Sequence, residues 1–499
     1  MDKRTAAIVI IICFLIYSAS FSMLIGTYDG VTQHYHKDTV PVLIMGPAGS
    51  DYIGTVIISH GFSANIGVMR PMGLALAKNG YRVVLYDLPG HGNSDLTLNS
   101  SNLESTHEEV IDRYGGNDYS LAGHSLGTLP AMKYGMSRDA RSVIAISPIF
   151  SQVNRTSPDN LLIILAEGDP ASIKGSASDA MINGTGSESN PGVLYGNHSN
   201  GDARMLLNVP GTDHITVIFN TGTFTEIVEW LDQSYGVDGS VSVTAPGQPY
   251  IWFLLCLLTS AIAFFPVSYL LLDHYRDKKY KFLLSAPHAW KPIFTIALSS
   301  LIATALVYFY IPLSFTGMAV ADYIVSFLLY CGTAGLIVYL ALNRFKFPAR
   351  YPADALIRPA SLALLLIIYL IVAIGVPASL SVFDLIPDEK RLIYMVLFTA
   401  LTLPYSLLNE YLFRGLDGIK SPLLGMLGRA LVIAALLAGA IISGQGFIWV
   451  TLPILAPLFI LLEVITYYMY RWSGSPLSGV FLNSLIIAWL LASSMPFLS

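Results

Sequence analysis

YSLAGHSLGTLPAMKYG, residues 119–135, joins a short apolar run to an apolar helical stretch through a corner of small residues. The corner is Gly123-His124-Ser125-Leu126-Gly127, a G-x-S-x-G pentad. A tight turn from strand to helix needs small flanking residues, and it lifts the serine hydroxyl above the sheet at a helix N-terminus. The bland alternative is an ordinary glycine turn. The neighbours of the pentad separate the two readings.

Outward from the corner, short apolar runs bounded by Gly, Pro or Asp alternate with helical stretches. The predicted strands are Thr55–Ser59, Tyr81–Tyr86, Tyr119–Ala122, Ser142–Ser147, Leu161–Ala166 and Arg204–Val209. Predicted helices include Met69–Lys78, Leu126–Tyr134 and Thr223–Trp230. That order implies an α/β fold, a mainly parallel sheet with helices on both faces.

A serine hydroxyl is a poor nucleophile until a base takes its proton, and the base must itself be oriented by a carboxylate. LLIILAEGDP puts Asp169 just past a strand end, and NVPGTDHITV puts His214 in the loop after the next strand. Glu167 is a rival acid closer to the strand, while Asp213 is too near His214 in sequence to reach its imidazole easily. Oxyanion stabilisation needs two preorganised donors. The backbone N–H of Leu126 follows the nucleophile, and His60-Gly61-Phe62 offers the second, the N–H of Phe62. This chemistry needs no cofactor and no metal.

HGFSAN (60–65), NGYRVVLYDLPGHGNSD (79–95), AGHSLG (122–127), GDP (168–170) and DH (213–214) follow one another in an order similar to that of the α/β-hydrolase superfamily, near its lipase, esterase and lysophospholipase-like members. The resemblance covers about residues 40–235. It implies that Ser125, Asp169 and His214 form a triad working through an acyl-enzyme. One departure is the lid: only about a dozen residues separate the strand ending near Pro148 from the next at Leu161, which implies an open site. Residues 170–203 read as a long polar loop that could partly cover it.

The chain around this segment is of another kind. Its 499 residues are 54% hydrophobic and 12% charged, fewer charges than a soluble surface needs. Residues 27–248 are rich in Gly, Ser, Asn, Asp and His, and the chain beyond 249 in Leu, Ile, Ala, Tyr and Phe, with the change at Ala245-Pro246-Gly247. The net charge of −5 gives no sign of a nucleic-acid partner. Cys13, Cys256 and Cys331 all fall in apolar runs, so disulfides are not expected. Four N-x-S/T sequons (Asn99, Asn154, Asn183, Asn197) lie in the polar segment and point weakly to export.

Residues 6–26 are long enough to cross a bilayer and follow Lys3 and Arg4. An uncleaved anchor fits their length, and a cleaved signal peptide is the competing reading. The expected division is therefore an anchor at 1–27, a hydrolase domain at 28–245 and a polytopic all-α domain at 246–499. About eight further spans fall near 250–272, 293–312, 320–342, 359–377, 392–412, 430–446, 447–469 and 477–495. Basic residues recur in alternate connections: Arg276, Lys278, Lys279 and Lys281, then Arg344, Lys346, Arg350 and Arg358, then Arg414, Lys420 and Arg429, then Arg471. By the positive-inside rule these lie with Lys3 and Arg4, which puts residues 27–248 outside the cytoplasm in a multi-pass cell-membrane protein.

Polar groups inside spans are functional suspects. Glu410 and Arg414 in NEYLFRG (409–415) share a helix face and can pair, the bland reading being a helix-end ion pair. The motif resembles the E-E-x-x-x-R-G of the CAAX-protease and bacteriocin-processing (CPBP, Abi) family, and SGVFLNS (478–484) loosely resembles its H-x-x-x-N segment. Asn409 stands where that family has a glutamate and Val480 where it has a histidine, which implies a non-proteolytic relative. Glu463 is a further buried carboxylate with no partner evident in the sequence.

These readings combine into a membrane-bound serine hydrolase acting on an ester, thioester or amide of a small-molecule or lipid-linked acyl substrate beside membrane lipid. The alternatives are a transporter or scaffold with a binding or gating hydrolase-like domain, and an intramembrane-protease-like protein.

Overall fold

The computed structural model describes residues 2–49, 51–237, 248–274, 290–310, 315–342, 354–416, 418–444 and 448–499. The expected boundary at 245–247 lies outside these residues, as do Arg276, Lys278, Lys279, Lys281, Arg344, Lys346 and Arg350. The chain forms two compact units. One comprises residues 18–256, 376–384 and 496–499, and the other residues 1–17, 257–375 and 385–495.

After helix α1 (Lys3–Gly26), the first unit runs β1 (Val31–Lys37), β2 (Pro41–Pro47), β3 (Thr55–Ser59), α2 (Ile66–Lys78), β4 (Arg82–Tyr86), α3 (Ser100–Tyr114), β5 (Tyr119–His124) and α4 (Thr128–Ser137). It continues with β6 (Val143–Ile146), β7 (Leu161–Ala166), α5 (Ala171–Thr185), β8 (Arg204–Val209) and α6 (Thr221–Tyr235). The eight strands form one sheet in the order β1-β2-β4-β3-β5-β6-β7-β8. Pairing is antiparallel for β1 with β2 and β2 with β4, and parallel from β4 to β8. Both faces are covered, so the parallel strands are mostly apolar rather than alternating. Val56, Ile58, Val83 and Leu85 pack on the side of α2 and α6, and Ile57, Val84, Val143 and Ala145 on the side of α3, α4 and α5.

Three elements differ from the sequence reading. The hairpin β1–β2 is absent from it, because VTQHYHK is almost wholly exposed and carries no apolar alternation; pairing with β2, from Val31 opposite Pro47 to Lys37 opposite Pro41, makes it a strand. Helix α3 is also unforeseen: its sequence is polar, with Leu103, Thr106, His107, Val110 and Ile111 turned inward. Residues 170–203 are not one long loop, since α5 occupies their first half. Its small residues hide a helical period in which Ile173, Ala177, Ala180 and Met181 are buried.

Three of the imidazoles sealed into this unit are kept neutral by their burial. His60 follows β3, His107 sits on α3 with its Nδ1 2.5 Å from the Tyr86 hydroxyl, and His124 ends β5. Burial is the leading cause that holds His60 down at about 4 and His107 and His124 at about 3, so all three are neutral in the fold.

The second unit is helical: α7 (Gln248–His274), α8 (Trp290–Tyr310), α9 (Ala321–Leu342), α10 (Asp354–Leu370) with a π-turn at Ile371–Gly375, then α11 (Val376–Ser379), α12 (Glu389–Phe413), α13 (Lys420–Ser443), α14 (Ile448–Ser473) and α15 (Leu477–Ser494). The start of α7 and the whole of α11 fall in the first unit. Among the described residues, eight helices are long and apolar enough to cross a membrane, as in a multi-pass membrane protein: α1, α7, α8, α9, the run from α10 to α11, α12, α13 and α15. The 26-residue α14 lies between the last two. The apolar window of α15 is 78% buried, whereas that of α1 is 17% buried. α15 is thus an inner helix of its unit, and α1 leaves its apolar surface exposed.

A polar knot ties α12, α13, α14 and α15 together. Arg414, just past α12, donates to Glu410 at 2.9 Å and to Glu463 of α14 at 2.6 Å, while Arg429 of α13 reaches the other Glu463 oxygen at 2.9 Å. Asn483 of α15 accepts from Arg429 at 3.3 Å and donates to Ser406 at 2.8 Å. The four charged side chains are fully buried and balance two against two. Glycines make the room: a Cβ at Gly479 would stand 2.8 Å from Glu410, and one at Gly425 would run into Glu463.

Two outcomes are expected. Unfolded chains gain a proton on each of the three histidines below about pH 6.5, which the fold refuses until pH 3–4. Acid in that window therefore draws the equilibrium toward unfolding, by up to about 1.4 kcal/mol per pH unit for each group. Thermal unfolding of the detergent-solubilised chain should move down by roughly 5–15 °C from pH 7 to pH 5, with a flatter slope in His107→Gln. In the helical unit, Glu463→Ala leaves the buried Arg429 guanidinium without a carboxylate and Arg414 with Glu410 alone, and should cost about 3–5 kcal/mol, read as a lower melting temperature than that of the unaltered chain at neutral pH.

Candidate active site

Ser125 stands at the corner between β5 and α4 with φ +51°, a left-handed backbone that is costly for a residue with a Cβ. The glycines around it are required by space. A side chain on Gly123 would strike the backbone of Gly127, and one on Gly127 would strike the Ser59 and His60 carbonyls. The helix can therefore turn back against the end of β3, which leaves the hydroxyl raised above the sheet.

His214 and Asp169 come to this corner from the far side of the sheet. The His214 Nε2 is 3.0 Å from Ser125 Oγ, and its Nδ1 is 2.7 Å from Asp169 Oδ1. The three residues lie 89 and 45 positions apart in the pairs that meet. Adjacent parallel strands β7 and β8 end at Ala166 and Val209, so their following loops deliver Asp169 and His214 side by side. Burial by itself would raise the Asp169 carboxyl. Hydrogen bonds from His214, from the Ser147 hydroxyl at 2.7 Å and from the Ala166 N–H at 2.8 Å outweigh it and hold the group below the usual carboxylate range.

Glu167 and Asp213 have other work. A Glu167 oxygen accepts the Gly211 N–H at 2.7 Å, which braces the loop carrying His214. Asp213 accepts from the N–H groups of Ile215 and Thr216 and from the Thr216 hydroxyl, closing the turn beyond His214. Neither approaches the imidazole of His214 as Asp169 does.

Gly61 crosses directly over the nucleophile: a Cβ there would sit 3.4 Å from Ser125 Cβ and 2.9 Å from His124 Nδ1. The loop holding Phe62 is thus beside the serine, and Leu126 lies within the short helical turn Ser125–Gly127.

Two supporting residues escaped the sequence reading. The His124 ring donates from Nε2 to the His214 carbonyl at 2.9 Å and so fixes the backbone of the base. Its place inside the pentad was the available signal. Ser147, with φ +51°, donates to Asp169 from the end of β6, and nothing in its residue type or spacing marks it.

In the helical unit Glu410 and Arg414 pair face to face, but within the buried knot and not at an exposed helix end. Glu463, read as partnerless, binds both arginines and accepts from Asn409 at 3.3 Å, because two guanidinium forks from different helices converge on it. Arg414 and Arg429, counted among the loop charges, are both buried in that knot, so they carry no weight in the charge asymmetry. Among the described residues no group of three or more His, Cys, Asp and Glu is arranged to hold a metal ion.

Residues 50–170 match the family described as serine aminopeptidase, S33. A 106-residue stretch is 34% identical to 3-oxoadipate enol-lactonase 1 of Acinetobacter baylyi, covering 21% of this chain and 38% of that enzyme's length. Among solved structures, a membrane phospholipase A that is a bacterial virulence factor aligns over 45% of this chain and 92% of its own, at 13% identity and a TM-score of 0.33. A carboxylesterase structure from the thaumarchaeon Nitrososphaera gargenis aligns over 41% and 99%, at 13% identity and a TM-score of 0.31. The mostly parallel eight-stranded sheet gives the first unit an α/β-hydrolase fold, and the stretch across the Ser125 corner is similar to a family of hydrolases, in a chain rich in long apolar helices.

Proposed function

We propose that this chain is a membrane-bound serine hydrolase that cleaves an ester, thioester or amide acyl bond through an acyl-enzyme, with the hydrolase domain on the extracytoplasmic face. The observation that carries the proposal is the continuous hydrogen-bonded line from Ser125 through His214 to Asp169, at 3.0 and 2.7 Å.

Ser125 Oγ attacks the carbonyl carbon while His214 Nε2 takes its proton. Asp169 accepts from His214 Nδ1–H, which keeps the correct tautomer and stabilises the imidazolium. The carbonyl oxygen, now an oxyanion, is met by the N–H groups of Leu126 and Phe62. Collapse expels the leaving group, which receives the proton from His214, and leaves Ser125 acylated. Water, deprotonated by His214, then repeats the sequence and restores the serine. Ile149 and Ile215, two residues beyond Ser147 and one beyond His214 respectively, are exposed large apolar side chains, and they suit the acyl part of a substrate. A lipid-linked acyl group at the membrane surface fits such a site.

The outward orientation rests on the sequence charges at Lys3, Arg4, Arg358 and Arg471 and on one contact. Lys3 Nζ lies 3.2 Å from Asp273 Oδ2, so the start of α1 and the end of α7 share one side. Residues between those two helices then emerge on the opposite side. For the helical unit, the pairing of Glu410 with Arg414 and the presence of Asn409 and Val480 favour a non-proteolytic relative of the CPBP family.

A fluorophosphonate probe should label the full chain, and Ser125→Ala should remove the label. The same change should lower short-chain ester hydrolysis on the order of 10⁴- to 10⁶-fold. Labelling that persists in Ser125→Ala would move the nucleophile elsewhere.

A further inference from the structure

The loop His60–Asn65, from which the second oxyanion donor comes, is not held by its own neighbourhood alone. Asn65 is the N-cap of α2, its Oδ1 accepting the Gly67 N–H at 3.0 Å. The same amide group makes a two-way bond to a segment over three hundred residues away: Nδ2–H donates to the Asp384 carbonyl at 3.0 Å, and Oδ1 accepts the Asp384 N–H at 3.0 Å. Asp384 closes residues 376–384, which belong to the hydrolase unit although they lie between α10 and α12. Tyr28, after α1, also hydrogen-bonds into that segment, at the Leu380 carbonyl.

The other end of the loop rests on residues 88–98. His60 donates from Nδ1 to the Gly61 carbonyl at 2.8 Å and accepts the Leu88 N–H on Nε2 at 3.0 Å. The His91 ring packs edge-on against both His60 and Phe62, with centroids 5.1 and 5.7 Å away. Residues 88–98 are in turn strapped by residues 497–499, which follow α15. The Phe497 N–H donates to the Gly90 carbonyl at 2.9 Å, and the Leu98 N–H donates to the Phe497 carbonyl at 2.7 Å. Leu98 pairs with Leu498 in a parallel bridge, and Asn99 Nδ2 donates to Ser499 Oγ at 3.1 Å. Gly90 has φ +78° and lies so close that any side chain there would run into the Phe497 carbonyl.

We propose that residues 376–384 and 497–499 are positioning segments of the hydrolase site: they clamp the loop His60–Asn65 from both ends and so fix the Phe62 N–H for the developing oxyanion. This rests on the serine-hydrolase reading above. A donor displaced by about an ångström loses most of its effect on a transition state while hardly touching substrate binding. Both segments enter this unit from outside its continuous stretch 18–256, one ahead of α12 and one beyond α15.

The full chain in nanodiscs serves for the test, with two variants. Asn65→Asp keeps the cap on Gly67 but sets a carboxylate oxygen against the Asp384 carbonyl. Deletion of residues 497–499 removes the strap. In each, kcat per fluorophosphonate-titrated site on a short-chain ester should fall roughly 10- to 100-fold with KM within about threefold. Deuterium uptake should rise at residues 60–65 in both variants and at 88–98 in the deletion, while β5 and α4 stay protected. An unchanged kcat per site in both variants, or unchanged uptake at residues 60–65, overturns the proposal. If the unaltered chain neither labels nor turns over ester, the hydrolase reading falls with the catalytic half of the proposal, and uptake at residues 60–65 alone decides whether the segments hold the loop.

Discussion

Ser125 occupies a left-handed backbone conformation that a side chain resists, and the close approach of α4 to the end of β3 holds it there. A strain of order 1–3 kcal/mol persists only where the surroundings over-determine it. Here the surroundings are two glycines with no space for a Cβ and a strand paired on both sides by parallel neighbours. Once β5 is placed, the register places the rest. The loop after β3 brings Gly61 and Phe62, the end of β6 brings Ser147, and the loops after β7 and β8 bring Asp169 and His214. All leave the sheet at the carboxyl ends of parallel strands, where such sheets gather their ligands.

The two units treat buried charge differently. Asp169 is sealed from water, and its charge is met by three donors that leave the far side of the His214 ring turned to Ser125. The knot of Glu410, Arg414, Arg429 and Glu463 uses its charges on one another. Desolvating such ions is so costly that a closed network is worth less as net stability than as a penalty on breaking it. One arrangement keeps a reactive edge, and the other makes four helices interdependent.

The first unit is also discontinuous along the chain. Residues 376–384 and 496–499 return to it from between and after apolar helices. Their bonds to it run mostly through backbone groups, at Asp384, Phe497 and Ser499. Main-chain pairing of this kind depends little on residue type, so it leaves almost no compositional trace.

Much was legible because it is local. Thr55–Ser59, Leu161–Ala166 and Arg204–Val209 read as strands from apolar runs alone, and G-x-S-x-G states its own steric demand at Gly123 and Gly127. Chain order was enough to nominate Asp169 and His214 beside Ser125, and the lengths of the apolar runs marked the eight helices, among the described residues, that can cross a membrane, along with α14, which is not one of the eight. What stayed hidden involves partners distant in sequence. β1 is a strand only against β2, Ser147 matters only because β6 ends beside Asp169, and Glu463 finds its arginines on two other helices. Residue type and spacing set the backbone's local preferences and the order of chemical groups. Only packing decides which groups meet, because a hydrogen bond or an ion pair depends on distance in space and not on separation along the chain.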